Sequence, residues 1–366
     1  MLIAFAALAL WPLQGSAQTA VLVGLHLKAW DDENGTMHPS SYRTFLITFR
    51  EGKAQLAADL PDLILPRKDG FWRVGNLHKG PPREGGYQEF VYAAPVESVP
   101  NAIGEYHPEA PNSNCSQTDE STIEFVSPEL LSVSYVRAPG CSLESENQHA
   151  IYKIDDLEKT LDITAVLGPA AWVAQKKSDA LAKARVAEEL RGCHGVSAPD
   201  STNWGIERSS RLVNSSGKPW ILVSDYNAPH VCNGGDTYEV KFQIPESVTG
   251  VSYHTSALTS LLKSMAAKDI HVYPYDVLLS PTGDFLVAFG NFSFDEAIRI
   301  FEVRQQSLSL APLLSVSTHT NLGWGFNVVM IQWAVGKHVA HWESDLKRIA
   351  SSSLPEPVVA IGNPQE

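Results

Sequence analysis

Apolar and polar positions alternate with a period of two along much of this chain. Tyr238, Val240, Phe242 and Ile244 alternate with Thr237, Glu239, Lys241 and Gln243, the pattern of a half-exposed strand. Phe285–Phe289 is apolar at every position, the pattern of a strand covered on both faces. The run from His271 to Val303 joins these patterns into a unit. It predicts strands at Val272–Leu279, Asp284–Phe289 and Ala297–Val303. Ser280-Pro281-Thr282-Gly283 separates the first two. Proline presets φ near −65° and glycine supplies the positive φ that closes a short hairpin.

Three further stretches repeat this order of strand, turn, strand, loop, strand. The first is Leu63–Pro66, Phe71–Gly75 and Tyr87–Ala94. The second is Ile123–Val126, Leu130–Val136 and Ala150–Ile154. The third is Ile206–Val213, Trp220–Tyr226 and Thr237–Ile244. Such a three-stranded meander resembles one blade of a β-propeller. Its turns fall at Gly70, Glu129, Gly217 and Gly283, with gaps mostly longer than the ~40–45 residues of a typical blade. The expected fold is therefore mainly β with inserted helices, a propeller-like arrangement of three-stranded meanders. A two-part α+β fold or a β-sandwich is the alternative. Val21–Trp30, Arg43–Phe49 and Asn327–Val335 read as additional strands. Asp31–Gly35 between the first two reads as a solvated acidic turn, because it lacks the alternating ligands of a calcium loop.

Helical periodicity is confined to a few places. Asp156 is expected to cap a helix through Leu167, which Gly168-Pro169 ends. A second helix over Ala170–Arg191, rich in Ala, Lys and Glu, stops at Gly192. Thr255 and Ser256 are suitable caps for Ala257–Lys268. His338–Ala350 carries Val339, Trp342, Leu346 and Ile349 on one face. The expected organisation is a signal peptide over 1–17, a β-rich half over 18–155 and a helical insert over 156–192. A second β-rich half follows over 193–350, then a loose tail over 351–366.

Composition adds a compartment. Leu2–Leu13 is apolar, and Gly15-Ser16-Ala17 places small residues for cleavage after Ala17, although no Lys or Arg precedes the apolar core. That run is shorter than the about 20 residues a membrane-spanning helix needs. Cys115, Cys141, Cys193 and Cys232 are the four cysteines. An even count in an exported chain reads as disulfides, with Cys115–Cys141 and Cys193–Cys232 the favoured pairs since each brackets a hairpin. Their spacing does not suit zinc. A net charge of −13 and a pI near 5.4 argue against general nucleic-acid binding and against docking on anionic lipid.

Candidate chemistry is sparse. G-x-S-x-G, H-E-x-x-H, the P-loop and G-x-G-x-x-G are all missing. His338 and His341 could share a metal by their spacing, but no third ligand is spaced to join them. Asp59 and Asp62 flank Pro61, and Asp225 lies two residues before Asn227. Such acids at strand ends are more often turn formers than catalysts. The tryptophans mostly fall in strands or on the apolar helix face and read as core. Trp324, between Gly323 and Gly325, reads as a loop residue and is the one candidate for binding. The expectation is an exported, non-enzymatic protein that binds an unknown ligand or protein partner, without cofactor. An exported hydrolase acting on glycans or peptides is the alternative.

Overall fold

The computed structural model describes residues 18–31, 37–79, 88–103, 118–138, 146–162, 206–215, 218–227, 237–243, 272–292, 295–305, 307–309, 311–318 and 325–359, with isolated positions between 165 and 173. The protein is mainly β. The first strands are β1 (Thr19–Leu27), β2 (Trp30–Asp31), β3 (Met37–His38), β4 (Ser41–Arg50) and β5 (Lys53–Pro61). Next come β6 (Leu63–Arg67), β7 (Gly70–Lys79), β8 (Gln88–Pro95) and β9 (Asn101–Ile103). Then follow β10 (Thr118–Val126), β11 (Leu130–Ala138), β12 (Glu146–Lys153) and β13 (Asp156–Thr160). A further set is β14 (Ile206–Ser215), β15 (Lys218–Asn227) and β16 (Thr237–Gln243). The last large set is β17 (Val272–Leu279), β18 (Phe285–Phe292), β19 (Asp295–Arg304), β20 (Ser307–Leu308) and β21 (Leu314–Ser317). β22 (Phe326–Val335), helix α1 (Lys337–Ser351) and β23 (Val358–Val359) end the described chain.

The four expected meanders pair as the alternation predicts: β6-β7-β8, β10-β11-β12, β14-β15-β16 and β17-β18-β19 are antiparallel neighbours. The Ser280–Gly283 turn closes as its residues demand. Gly283 has φ 76°, its N–H donates to the Ser280 carbonyl at 2.9 Å, and the Ser280 hydroxyl accepts from the Phe285 N–H at 3.1 Å. A single parallel bridge, Asp119 with Gln88, joins β10 to β8 and merges two meanders into one sheet.

β1 lies at the centre of the fold. It sits between β22 and β4, so a strand near the start of the chain pairs with one near its end. All nine of its residues are buried, as a continuous apolar run requires. One face of this sheet, through Ala20, Leu22, Leu46 and Met330, packs on Leu63, Val74, Val91, Ile123 and Leu131. The other face, through Val21, Val23, Phe45 and Ile47, packs on Phe285, Val287, Phe289 and Ile300. Each fully buried aliphatic side chain here is worth about 1.5–3 kcal/mol. Gly24 lets the layers meet: a Cβ there would lie 2.7 Å from Leu63 Cδ2 and 2.8 Å from Met330 Cβ.

β5 went unforeseen because it is an edge strand rich in Ala and charge, half exposed and ending at Pro61. Helix α1 covers the region with Val339, Trp342, Leu346 and Ile349, the stripe read from the sequence.

Two expectations are corrected. Asp156 does not cap a helix. Ile154 and Asp155 form a tight turn, and Asp156–Thr160 returns as β13 beside β12, with Leu157 buried in the core. Burying that leucine and pairing the backbone outweigh local helix preference. Ala165 and Val166 are helical; most of 163–192, and the expected helix at 257–268, lie outside the described residues. The tail is not loose as far as Val359. β23 pairs in parallel with β9, the Val358 N–H donates to the Pro100 carbonyl at 2.9 Å, and Arg73 Nη1 donates to the Pro355 carbonyl at 2.7 Å. Residues 1–17 and 360–366 lie outside the described residues. No helix among the described residues is long and apolar enough to cross a membrane.

Candidate functional site

Two rows of polar side chains meet at one end of these strands. Antiparallel register sets His26 of β1 beside Asn327 of β22 on one side and Tyr42 of β4 on the other. In the larger sheet, His78 of β7 is the direct cross-strand partner of Glu89 of β8. The Gln88–Asp119 bridge then sets Glu120 beside Glu89, each one residue further along, so both leave the same face.

Glu89 is the hub. Its side chain is 4% exposed. The Ser121 N–H donates to Oε2 at 2.8 Å, and Asn76 Nδ2 approaches the same oxygen at 3.5 Å. The Ser40 hydroxyl and His78 Nδ1 both lie 3.3 Å from Oε1. The Ser121 hydroxyl also donates to the Glu89 carbonyl at 3.1 Å. Of these, the backbone N–H bond has the length of a charge-assisted bond, and the others are longer.

His26 faces this carboxylate from the other row. Its ring stacks on Tyr42 with centroids 5.0 Å apart and planes 25° apart. Tyr42 is held by the Ile123 N–H, which donates to its hydroxyl oxygen at 2.8 Å. The His26 residue is 5% exposed, and neither ring nitrogen has a hydrogen-bond partner among the described residues. Burial pulls its pKa down to about 4; the Glu89 charge acts against that fall and the Lys28 charge adds to it. The imidazole is therefore neutral at pH 7, with one donor and one acceptor. Burial also holds the Tyr42 phenol well above its ordinary range. Glu120 is raised above the usual carboxylate range, by desolvation first and by the Glu89 charge second. At the same end Lys28 Nζ and Glu296 Oε1 flank Gly325, 3.8 and 3.7 Å from where a Cβ would stand.

A second polar group lies deeper along β10. Glu124 Oε1 accepts from Arg211 Nη1 at 2.9 Å, and His149 Nδ1 lies 3.5 Å from Glu124 Oε2. Its charge reaches Tyr42, which links the two groups.

The sequence candidates fare differently. Trp324 and the four cysteines, Cys115, Cys141, Cys193 and Cys232, lie outside the described residues. Asp59 and Asp62 take separate partners: Asp59 pairs with Arg43, and Asp62 accepts from Arg73 Nε at 2.5 Å. His341 does not turn to His338; its Nε2 lies 3.2 Å from Asp345 Oδ2 on an exposed turn of α1. Among the described residues no three His, Cys, Asp or Glu side chains converge on a common ion. His26, Tyr42, Asn76, His78, Glu89, Glu120 and Ser121 were not foreseen. The one legible signal was His26, the single ionisable side chain within the run TAVLVGLHL.

No family model matches the chain, and no curated protein matches it. Among solved structures, one named as a 6-phosphogluconolactonase from Bacteroides uniformis aligns over 87% of this chain and 99% of its own. The identity is 11% and the TM-score 0.16, too low to bear on fold or function.

Proposed function

We propose that this is an exported, non-enzymatic binding protein that takes its ligand at the His26–Glu89 end of its strands. One observation carries the reading: a buried neutral imidazole, its two nitrogens unpartnered among the described residues, faces a carboxylate fixed by a neighbouring strand's N–H. Buried polar atoms are normally satisfied, and those that are not mark places where a further group completes the network. The meanders are taken to be arranged as blades. Pairing of β1 with β22 supports this, as does a central sheet covered on both faces by other sheets. Export rests on the apolar Leu2–Leu13 segment, the small residues before Gln18 and the even cysteine count.

A hydrolase acting on glycans is the second reading, and Glu120 favours it. Glu89 and Glu120 leave one face of adjacent strands, and Glu120 holds its proton more tightly than an ordinary carboxylate. An acid and a base set apart in this way are what glycoside hydrolysis uses.

Turnover separates the two. The purified protein is incubated with nitrophenyl glycosides and fluorogenic peptides. A binding protein releases nothing above background. Release that Glu120→Gln abolishes transfers the site to the hydrolase reading.

A further inference from the structure

The ionisable groups at this end of the strands stand close to one another. His78 Nδ1 lies 3.3 Å from Glu89 Oε1, and Lys28 and Glu296 approach the same point beside Gly325. Among the described residues, the buried polar atoms at this end without a hydrogen-bond partner belong to neutral groups, the two nitrogens of the His26 ring and Asn76 Oδ1. We propose that this site selects a neutral, hydroxyl-rich ligand, a sugar or polyol, over an ion. The proposal rests on the binding reading above and names its ligand class.

Hydroxyls both give and take hydrogen bonds, so two on one ligand answer the two ring nitrogens, whereas an ammonium has no acceptor and a phosphate dianion no donor. The surroundings suit further hydroxyls. Ser40 and Asn76 approach Glu89 at 3.3 and 3.5 Å, longer than a hydroxyl-to-carboxylate bond, so a ligand hydroxyl competes for that carboxylate on favourable terms. Glu120 beside it, raised above the usual carboxylate range, offers a donor as well when protonated. Tyr42, stacked on the His26 ring, supplies a buried aromatic wall. An anion at this place would meet the Glu89 and Glu296 carboxylates, and an ammonium would leave the donor nitrogen of the ring unanswered.

The test is calorimetric titration of the full chain with five probes. Maltotriose, N,N′-diacetylchitobiose and myo-inositol are neutral, glucose 6-phosphate is anionic and spermidine is cationic. The expected result is that at least one neutral probe binds, that His26→Phe weakens it about tenfold or more, and that His26→Gln stays within a few fold of the native protein. Phe keeps the stack on Tyr42 but offers no hydrogen bond, while Gln keeps one donor and one acceptor. Loss in Phe with recovery in Gln is therefore not a packing effect. Binding of spermidine or glucose 6-phosphate alone, in a His26-dependent way, overturns the ligand class and leaves the binding reading standing. Binding of none of the five, or neutral binding indifferent to His26→Phe, overturns the proposal. Cleavage of a bound probe that Glu120→Gln abolishes overturns the binding reading with it.

Discussion

The backbone N–H of Ser121 donates to Glu89 Oε2 at 2.8 Å, and the Ser121 hydroxyl donates to the Glu89 carbonyl at 3.1 Å. These two bonds tie β10 to β8 where register supplies only the Asp119–Gln88 bridge. The carboxylate thus does the work of ladder bonds at a seam between two meanders.

Removing that carboxylate leaves a buried N–H without its acceptor. Glu89→Ala is expected to lower stability by about 2–4 kcal/mol, since a lost charge-assisted bond and an orphaned donor add. Glu89→Gln retains an acceptor oxygen and costs less. Urea denaturation at pH 7 measures both, and equal losses for the two variants would refute this role.

Acid sensitivity follows from His26. Its pKa in the fold is about 4, below the ordinary 6.5, so the unfolded chain takes up the proton first. The contribution of the neutral ring is fully present above pH 6.5 and is lost as the pH falls toward 4. Over that window the loss approaches about 3 kcal/mol, at 1.36 kcal/mol per pKa unit. His26→Phe removes this slope. Stability curves of the two proteins should lie closest at neutral pH and separate as the pH falls toward 4, with the native protein dropping below His26→Phe.

Glu120 carries the opposite sign. Its pKa is raised in the fold, so its contribution is present at low pH and lost as the pH rises through its folded value. Glu120→Gln is expected to raise the melting temperature slightly at pH 7 and to do nothing at pH 3. A lower melting temperature at pH 7 would show that the ionised side chain is held by an attraction.

Gly24 tests the packing of the central sheet. Gly24→Ala sets a Cβ 2.8 Å from Met330 Cβ, a backbone-anchored atom that cannot swing away. The expected loss is about 1–3 kcal/mol by overpacking. Leu63→Ala, which removes the Cδ2 lying 2.7 Å from the new Cβ, should recover part of it in the double variant, and additive losses would place the clash elsewhere.

Much of the architecture was legible in alternation and turn chemistry. The Pro-Thr-Gly turn at 281–283 and the apolar stripe of α1 needed no partner to be read, because the signals are local. β5 and β13 were missed because each is a polar edge strand whose order comes from the neighbour it pairs with. The tail was missed for the same reason: Pro355 and Val358 are fixed by Arg73 and Pro100, more than 250 residues away. The site was scarcely legible. His26, Glu89 and Glu120 stand on three strands, and only the joining of two sheets brings them together. No spacing in the sequence encodes that meeting.

The meeting of His26 with Glu89 and Lys28 is measured most directly by NMR titration of the His26 ring. The ring is expected to titrate near pH 4, lower still in Glu89→Gln and higher in Lys28→Met, because those two charges act on it with opposite sign. A ring that titrates near 6.5 and ignores both substitutions would contradict the site as described.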